Sequence, residues 1–161
     1  DDVCREQTQL VYSFKEVISN KELFQLIFKF IRAPDVSEHF IVLCLDVVYY
    51  ICSIKSSFFT SKNDKICVLG SLVSNLREIS NIEKYSFLIS SKVFLKFTLV
   101  LYKMIIWMEV DLCMGLNDFQ ELACNCSKIT INKLSNGAAI NENQAIIYLM
   151  KFKIKNMILS F

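Results

Sequence analysis

Glycine and proline are nearly absent from this chain, which contains three glycines and one proline among 161 residues. An average chain carries roughly 7% glycine and about 5% proline, the residues that make most tight turns, strand bends and phosphate-binding loops. Hydrophobic residues, by contrast, make up 53% of the chain. Because so apolar a sequence with so few breakers favours long helices with broad buried surfaces, we expect an all-α fold.

Length and charge restrict the class of protein further. A chain of 161 residues suits one domain, since domains of about 100 to 150 residues are the commonest. Its 18 basic and 16 acidic residues give a net charge of +2, which argues against nucleic acid or an anionic membrane as the main partner. The opening residues, from Asp1 to Arg5, lack the basic start and apolar run of a signal peptide. We therefore expect a segment of a longer intracellular protein, cytoplasmic or nuclear.

The cysteines support a reducing compartment. Their number is odd and most lie within apolar stretches: Cys4, Cys44, Cys52, Cys67, Cys113, Cys124 and Cys126. This pattern fits buried free thiols better than a disulfide framework. The glycosylation tripeptide at residues 125–127 points the other way, but such tripeptides arise often by chance.

Helix-start signals recur along the first half of the chain. Ser19 followed by Glu22 is a capping box that opens an apolar run. The run should end before Pro34, because a proline disfavours helical geometry in the residue that precedes it. Ser37 can then cap a second long helix that reaches to about Ile54.

Two further helices are predicted next. Ser61 can cap a helix over residues 62–78, where the apolar residues are spaced by threes and fours. A second capping box, Ser80 with Glu83, opens a stretch over residues 82–110 that is compatible with a helix throughout.

Residues 93–110, which follow an expected helix break near Ser90, are the closest approach to a membrane span. Lys96, Lys103 and Glu109 interrupt this stretch. Two lysines at mid-depth would each cost roughly 2.5 to 3.5 kcal/mol on insertion. We therefore expect no transmembrane span, but a buried helix on which the two lysines share a face and form a narrow, water-facing stripe.

The last third of the chain predicts two more helices. Asn117 and Asp118 can cap a short helix that ends at about Ser127. Residues 130–139 are polar and contain an Asn-Gly turn signal. A final helix is predicted over residues 144–158, which brings the whole chain to about six to eight helices.

The helix caps also suggest a repeat. From Ser19 to Ser61 is 42 residues, and from Ser37 to Ser80 is 43 residues, with two predicted helices in each interval. Together with the apolar runs at residues 24–27 and 42–46, this makes residues 19–110 resemble armadillo and HEAT repeats, whose period is about 40 to 47 residues.

The resemblance lies in this pattern, without a repeated glycine or proline turn. It implies stacked antiparallel helix pairs, an α-solenoid-like fold, with a groove for peptides or partner proteins and no catalytic residue. An irregular helical bundle is the alternative architecture.

Candidate catalytic residues are few. His39 is the only histidine, and Glu38 and Asp46 could supply an orienting carboxylate, but a triad also needs a nucleophile that the fold brings close. A histidine in the first turn of a helix is more often structural. The carboxylate pair Asp118 and Glu121 lies near a predicted helix start, where the helix dipole favours acidic groups.

Metal and nucleotide sites are equally poorly supported. Cys124 and Cys126 form a C-x-C pair with Cys113 upstream, whereas a structural zinc site needs four ligands at defined spacings. The three glycines, Gly70, Gly115 and Gly137, stand alone, so no phosphate-binding loop can be read. We expect no catalytic, cofactor or metal site and no small-molecule substrate.

Three classes of function remain. The first is a non-catalytic interaction or scaffold module that binds a partner protein, a helical peptide or the rest of its own chain through a groove or an apolar face. The alternative is a compact helical groove protein of the apoptosis-regulator (Bcl-2-like, including viral) type, although the one tryptophan, Trp107, lies in no groove motif. The third is an enzyme whose site is too diffuse to recognise. No residue is singled out for partner binding.

Overall fold

The computed structural model of this chain describes residues 21–53, 62–107 and 116–135. They contain five α-helices and one turn of 3-10 helix, Ser86–Ile89; the α-helices are α1 (Lys21–Ile31), α2 (Glu38–Ser53), α3 (Lys62–Ile79), α4 (Ser91–Trp107) and α5 (Leu116–Ser135). These ranges contain no strand, so the all-α prediction is confirmed for them. Five is fewer than the predicted six to eight, and the helix predicted over 144–158 lies outside the described residues.

The turn between α1 and α2 forms as the local sequence predicts. The first helix ends before the proline, and the Ala33 amide donates to the Phe30 carbonyl at 3.2 Å. Asp35 then takes a left-handed backbone conformation, with φ of 62°, which reverses the chain. The Ser37 hydroxyl accepts a hydrogen bond from the Phe40 amide at 3.2 Å, so the predicted cap of the second helix is confirmed. Ser19, in the first predicted capping box, lies outside the described residues.

The capping box predicted at Ser80 and Glu83 is wrong. Ser80 follows the last turn of α3, is buried, and donates its hydroxyl to the Arg77 carbonyl at 2.6 Å. The Asn81 side chain instead accepts from the Glu83 amide at 3.1 Å, which forms a turn rather than a helix start. The next α-helix begins only after Ser90, where the sequence predicts a break.

The last described helix is longer than predicted. The sequence predicts an end near Ser127, whereas α5 continues to Ser135. The Ser127, Thr130 and Ser135 hydroxyls each donate to the carbonyl four residues earlier, so these polar residues are accommodated inside the helix. One face of α5 is buried at helical spacing: Phe119, Leu122, Cys126, Ile129 and Lys133.

Each helix packs beside the second helix along the chain. The most extensive pairings are α2 with α4 and α3 with α5, while α1 contacts both α2 and α3. The core between them is continuous and rich in phenylalanine; its largest side chains with almost no exposure are Phe24, Phe28, Phe94, Phe97 and Phe119. Burial of such side chains contributes about 1.5 to 3 kcal/mol each, so this core dominates the stability of the fold.

Helices α2 and α4 run in the same direction, because their contacts occur in the same order along both. Asp46 pairs with Lys96 at 2.9 Å. One turn further along α2 and two turns further along α4, the Lys103 ammonium lies 5.6 Å from the centre of the Tyr49 ring. The water-facing stripe predicted for these lysines is confirmed only in part: both side chains remain partly exposed, but both also contact α2. No helix in the described ranges is long and apolar enough to cross a membrane.

The described cysteines are free thiols. Cys44, Cys52 and Cys126 are buried, whereas Cys67 and Cys124 are exposed. Burial raises the pKa of Cys52 to about 12 and raises that of Cys126 as well. The buried thiols therefore stay protonated and pack as small apolar side chains, as the sequence predicts. For Cys67 and Cys124, which are exposed, the prediction of buried thiols is wrong.

Candidate partner-binding groove

A polar groove of about 610 Å³ runs between α1 and α3. Its lining side chains are spaced by threes and fours on each helix and so form two facing stripes: Gln25, Lys29 and Arg32 on α1, and Cys67, Ser71, Ser74 and Asn75 on α3. We call this cleft the α1–α3 groove. It is open to solvent, and its lining combines hydrogen-bonding side chains with apolar atoms in about equal measure.

One end of the α1–α3 groove is held rigid by buried polar contacts. Asn75 is only 8% exposed, and its amide oxygen accepts from Arg32 Nη1 at 3.0 Å. The Asn75 amide nitrogen donates to the Ser71 carbonyl at 2.7 Å. Glu78 Oε2 lies 3.4 Å from the same Arg32 nitrogen, which neutralises the guanidinium charge. Arg32 therefore links the C-terminal ends of α1 and α3.

The middle of the α1–α3 groove carries the positive charge of Lys29, which forms no ion pair with another described residue. Lys29 is exposed and lies in the wall of the cleft, one turn before Arg32. Across from it, Ser71 and Ser74 are partly exposed and carry hydroxyls that can donate or accept hydrogen bonds. Such a lining suits a ligand with a carboxylate and peptide carbonyls, because an ammonium and hydroxyls together donate to oxygen acceptors.

A second arginine links the next pair of helices, but it contacts the first turns of its partner helix, whereas Arg32 contacts the last turns of α3. Arg77, 45 residues later and at the C-terminal end of α3, contacts α5 through Asp118 and Glu121. Its Nε lies 3.2 Å from Asp118 Oδ1 without hydrogen-bond geometry, and its Nη1 donates to Glu121 Oε2 at 3.4 Å. The acidic pair that the sequence analysis assigned to a helix start therefore binds an arginine of the neighbouring helix.

A second exposed surface lies on the outer side of the first two helices. Four large apolar side chains of α2 are exposed at helical spacing, and two of α1 continue the patch: Phe40, Leu43, Val47 and Tyr50, with Leu26 and Phe30. The rings of Phe30 and Phe40 pack edge to face, with centroids 6.3 Å apart. This contact makes the exposed apolar residues of α1 and α2 one continuous patch. We call these six residues the α1–α2 apolar face.

The candidate catalytic group of the sequence analysis is not brought together. His39 is exposed in the first turn of α2, where it lines a cleft of about 500 Å³ with Glu38 and Lys92. Asp46, considered as its orienting carboxylate, binds Lys96 of α4 instead.

The cysteine pair is divided between two sides of α5. Cys124 is exposed and Cys126 is buried, as expected for residues two positions apart on a helix. Cys113 lies outside the described residues. Within residues 21–53, 62–107 and 116–135, no three histidine, cysteine or acidic side chains are grouped so as to hold a metal ion.

None of the residues that line the α1–α3 groove is identified as a site residue by the sequence alone. The available signal was the polar spacing of Gln25, Lys29 and Arg32 on an otherwise apolar helix, which places them on one face. That spacing alone does not show which helix lies opposite. Comparison with known proteins adds no family: no family model, curated protein or solved structure matches this chain.

Proposed function

We propose that this chain is a non-catalytic interaction module that binds an extended acidic segment of a partner protein in the α1–α3 groove. The observation that carries the proposal is the exposed Lys29 beside hydroxyls in a cleft whose other end Arg32 and Asn75 hold rigid. A preformed cleft binds a peptide with a smaller loss of conformational entropy than one that must first be ordered. A side-chain carboxylate would pair with Lys29, and peptide carbonyls would accept from the hydroxyls.

The architecture we propose for the module is an α-solenoid-like stack of the armadillo and HEAT type. Two observations support it: each helix lies beside the second helix along the chain, and α2 and α4 run in the same direction. Stacked repeats contact mainly their neighbours and present long grooves to partners. The compact Bcl-2-like alternative has less support, because all five described helices carry exposed side chains and none is surrounded completely.

An intracellular location belongs to the same proposal. The described cysteines are free, and three of them lie in the apolar core, where a thiol survives best in a reducing compartment. The partner is accordingly expected to be a cytoplasmic or nuclear protein.

The experiment is a display selection of random twelve-residue peptides on the full chain, followed by affinity measurements with the selected peptides. We expect the selected sequences to be rich in aspartate and glutamate. Lys29→Glu should weaken their binding about tenfold, equivalent to about 1.4 kcal/mol, because it replaces an attraction by a repulsion.

The matched control is Lys128→Glu, which makes the same charge change at an exposed position of α5 outside the groove. It should change the affinity less than twofold. Equal losses in the two variants would indicate unspecific charge attraction and would contradict the proposed site. Failure to select any acidic peptide would also overturn the proposal.

A further inference from the structure

The α1–α2 apolar face needs a cover that the described residues do not supply. Its α2 residues are spaced by threes and fours over about three turns, and Tyr50 at the far end is 68% exposed. Single exposed apolar side chains are normal on a protein surface, but a contiguous stripe across two helices marks an interaction site.

The position of the stripe on α2 shows on which side the cover must lie. One sector of α2 faces the core: Ile41, Cys44, Leu45, Val48, Ile51 and Cys52. A second sector, with Val42, Asp46 and Tyr49, faces α4. The exposed stripe occupies the remaining third of the helix, so it faces neither the core nor α4. A further helix would fit there as a third neighbour of α2.

The chain itself carries a segment of suitable pattern and length directly before α1. Residues 3–18 have apolar side chains at helical spacing, namely Val3, Leu10, Val11, Phe14, Val17 and Ile18. Arg5, Gln9 and Glu16 lie on the opposite side of that helical wheel together with Tyr12, and Gln7 is a polar residue within the apolar arc. The sequence therefore predicts an amphipathic helix of sixteen residues, which is the length of α2.

We propose that residues 3–18 dock on the α1–α2 apolar face as a helix parallel to α2. Only two residues, Ser19 and Asn20, separate this segment from α1, so the two helices must run in opposite directions, as α1 and α2 do across their short turn. The segment would then lie beside the second helix along the chain, which repeats the order of α1 with α3, α2 with α4 and α3 with α5. The inference rests on the stacked order in the proposed function and does not depend on peptide binding.

Photo-crosslinking of the full chain tests this docking. Benzoylphenylalanine in place of Tyr50 should form crosslinks to residues 3–18, mapped by mass spectrometry. An equal mixture of isotopically light and heavy chains shows whether a crosslink joins two copies. Benzoylphenylalanine in place of Ile131, an equally exposed apolar position on α5, is the control and should not reach residues 3–18.

A pair of variants tests the amphipathic pattern. Phe14→Glu should lower the crosslink yield from position 50 at least fivefold, because it places a charge on the apolar side of the segment. Gln9→Glu, on its polar side, should leave the yield within a factor of two. Circular dichroism of both variants reports whether the rest of the chain keeps its helical content.

Any of three other outcomes would contradict the docking of residues 3–18 on the α1–α2 apolar face. Crosslinks between light and heavy chains would assign the face to a second copy, and crosslinks to residues 144–158 would assign it to the other end of the chain. A yield no higher than that of the control position would leave the face without an internal cover. Because no peptide is present in this experiment, its failure is distinct from a failure of the Lys29→Glu binding test.

Discussion

Asn75 shows how a single buried side chain can hold a groove open and stabilise the fold at once. It accepts from Arg32 of α1 and donates to the carbonyl of Ser71 within its own helix. Both amide atoms are therefore satisfied although the residue is nearly inaccessible, as buried polar groups require. The arginine in turn covers the end of the α1–α3 groove instead of folding back into solvent.

Truncation of this amide should be costly. We expect Asn75→Ala to lower the free energy of unfolding by about 1 to 3 kcal/mol, because Arg32 loses its buried acceptor. The measurement is urea denaturation of the two chains side by side. Ser74→Ala, one residue earlier and partly exposed, is the control and should change the stability by less than about 0.5 kcal/mol. Equal losses would argue against a special role of the amide.

Lys133 is the other residue whose environment makes a measurable prediction. It is buried on α5, donates from Nζ to the Ile89 carbonyl at 2.8 Å, and lies 5.2 Å from the centre of the Phe94 ring. Burial lowers its pKa from the ordinary value of 10.5, because the charged form loses hydration. At pH values between the lowered pKa of Lys133 and 10.5, the unfolded chain therefore binds more protons than the folded chain.

The sign of the pH dependence follows from this difference. A cation with a lowered pKa penalises the folded state at low pH, and the penalty disappears as the pH rises towards 10.5. We therefore expect the stability of the wild-type chain, relative to Lys133→Met, to increase with alkaline pH. Denaturation series at several pH values measure it, with Lys128→Met as the exposed control. A relative stability that falls over this range would contradict the assignment.

At the scale of elements, helix pairing depends on apolar packing more than on charge. The ion pair of Asp46 with Lys96 is about one-third exposed on both sides, and such pairs contribute about 0 to 1 kcal/mol. A single core phenylalanine such as Phe97 contributes several times as much, since its truncation typically costs about 3 to 5 kcal/mol. The ion pair therefore sets the alignment of α2 against α4 more than the strength of their contact.

The length of α5 gives a sharp test at this scale. Ile131 lies in the stretch that the sequence predicts as polar and irregular, yet its side chain points to solvent from within a helix. Ile131→Pro should cost about 3 kcal/mol, because it removes a helical hydrogen bond without removing a buried side chain. Ile131→Ala, measured in the same thermal and urea denaturation, should be nearly neutral. A tolerated proline would indicate that the helix ends earlier.

How well the sequence predicts this structure depends on how far apart in the chain the interacting residues lie. Ser37 could be identified as a cap because the bond to Phe40 lies within four residues. Ser80 could not, since the same serine-to-glutamate spacing occurs at a helix end, where the hydroxyl binds a carbonyl behind it. The α1–α3 groove was beyond prediction for another reason: Lys29 and Ser74 meet only once the helices have paired.

At the scale of the whole molecule, the buried thiols report on global unfolding. Among the described cysteines, Cys67 and Cys124 should react with a thiol reagent in the native state, because they are exposed. Cys44, Cys52 and Cys126 should react only as fast as the chain unfolds, since burial both hides them and raises their pKa.

Pulse labelling followed by peptide mass spectrometry assigns each reaction to its cysteine. The three buried thiols lie on α2 and α5, on opposite sides of the contact network, so a common rate would indicate one cooperative unit. Rapid native labelling of Cys126 would contradict the packing of α5 on the core. Different labelling rates for the cysteines of α2 and α5 would indicate that these two helices unfold separately.

The left-handed backbone at Asp35 has a consequence for how this chain can change over evolutionary time. Only glycine, asparagine and aspartate adopt a positive φ without a large penalty, so few substitutions at this position are neutral. Natural variation should therefore be narrow at position 35, whereas the exposed neighbour Ala33 should vary more freely. In relatives of this chain, position 35 should keep glycine, asparagine or aspartate even where the surrounding surface has changed.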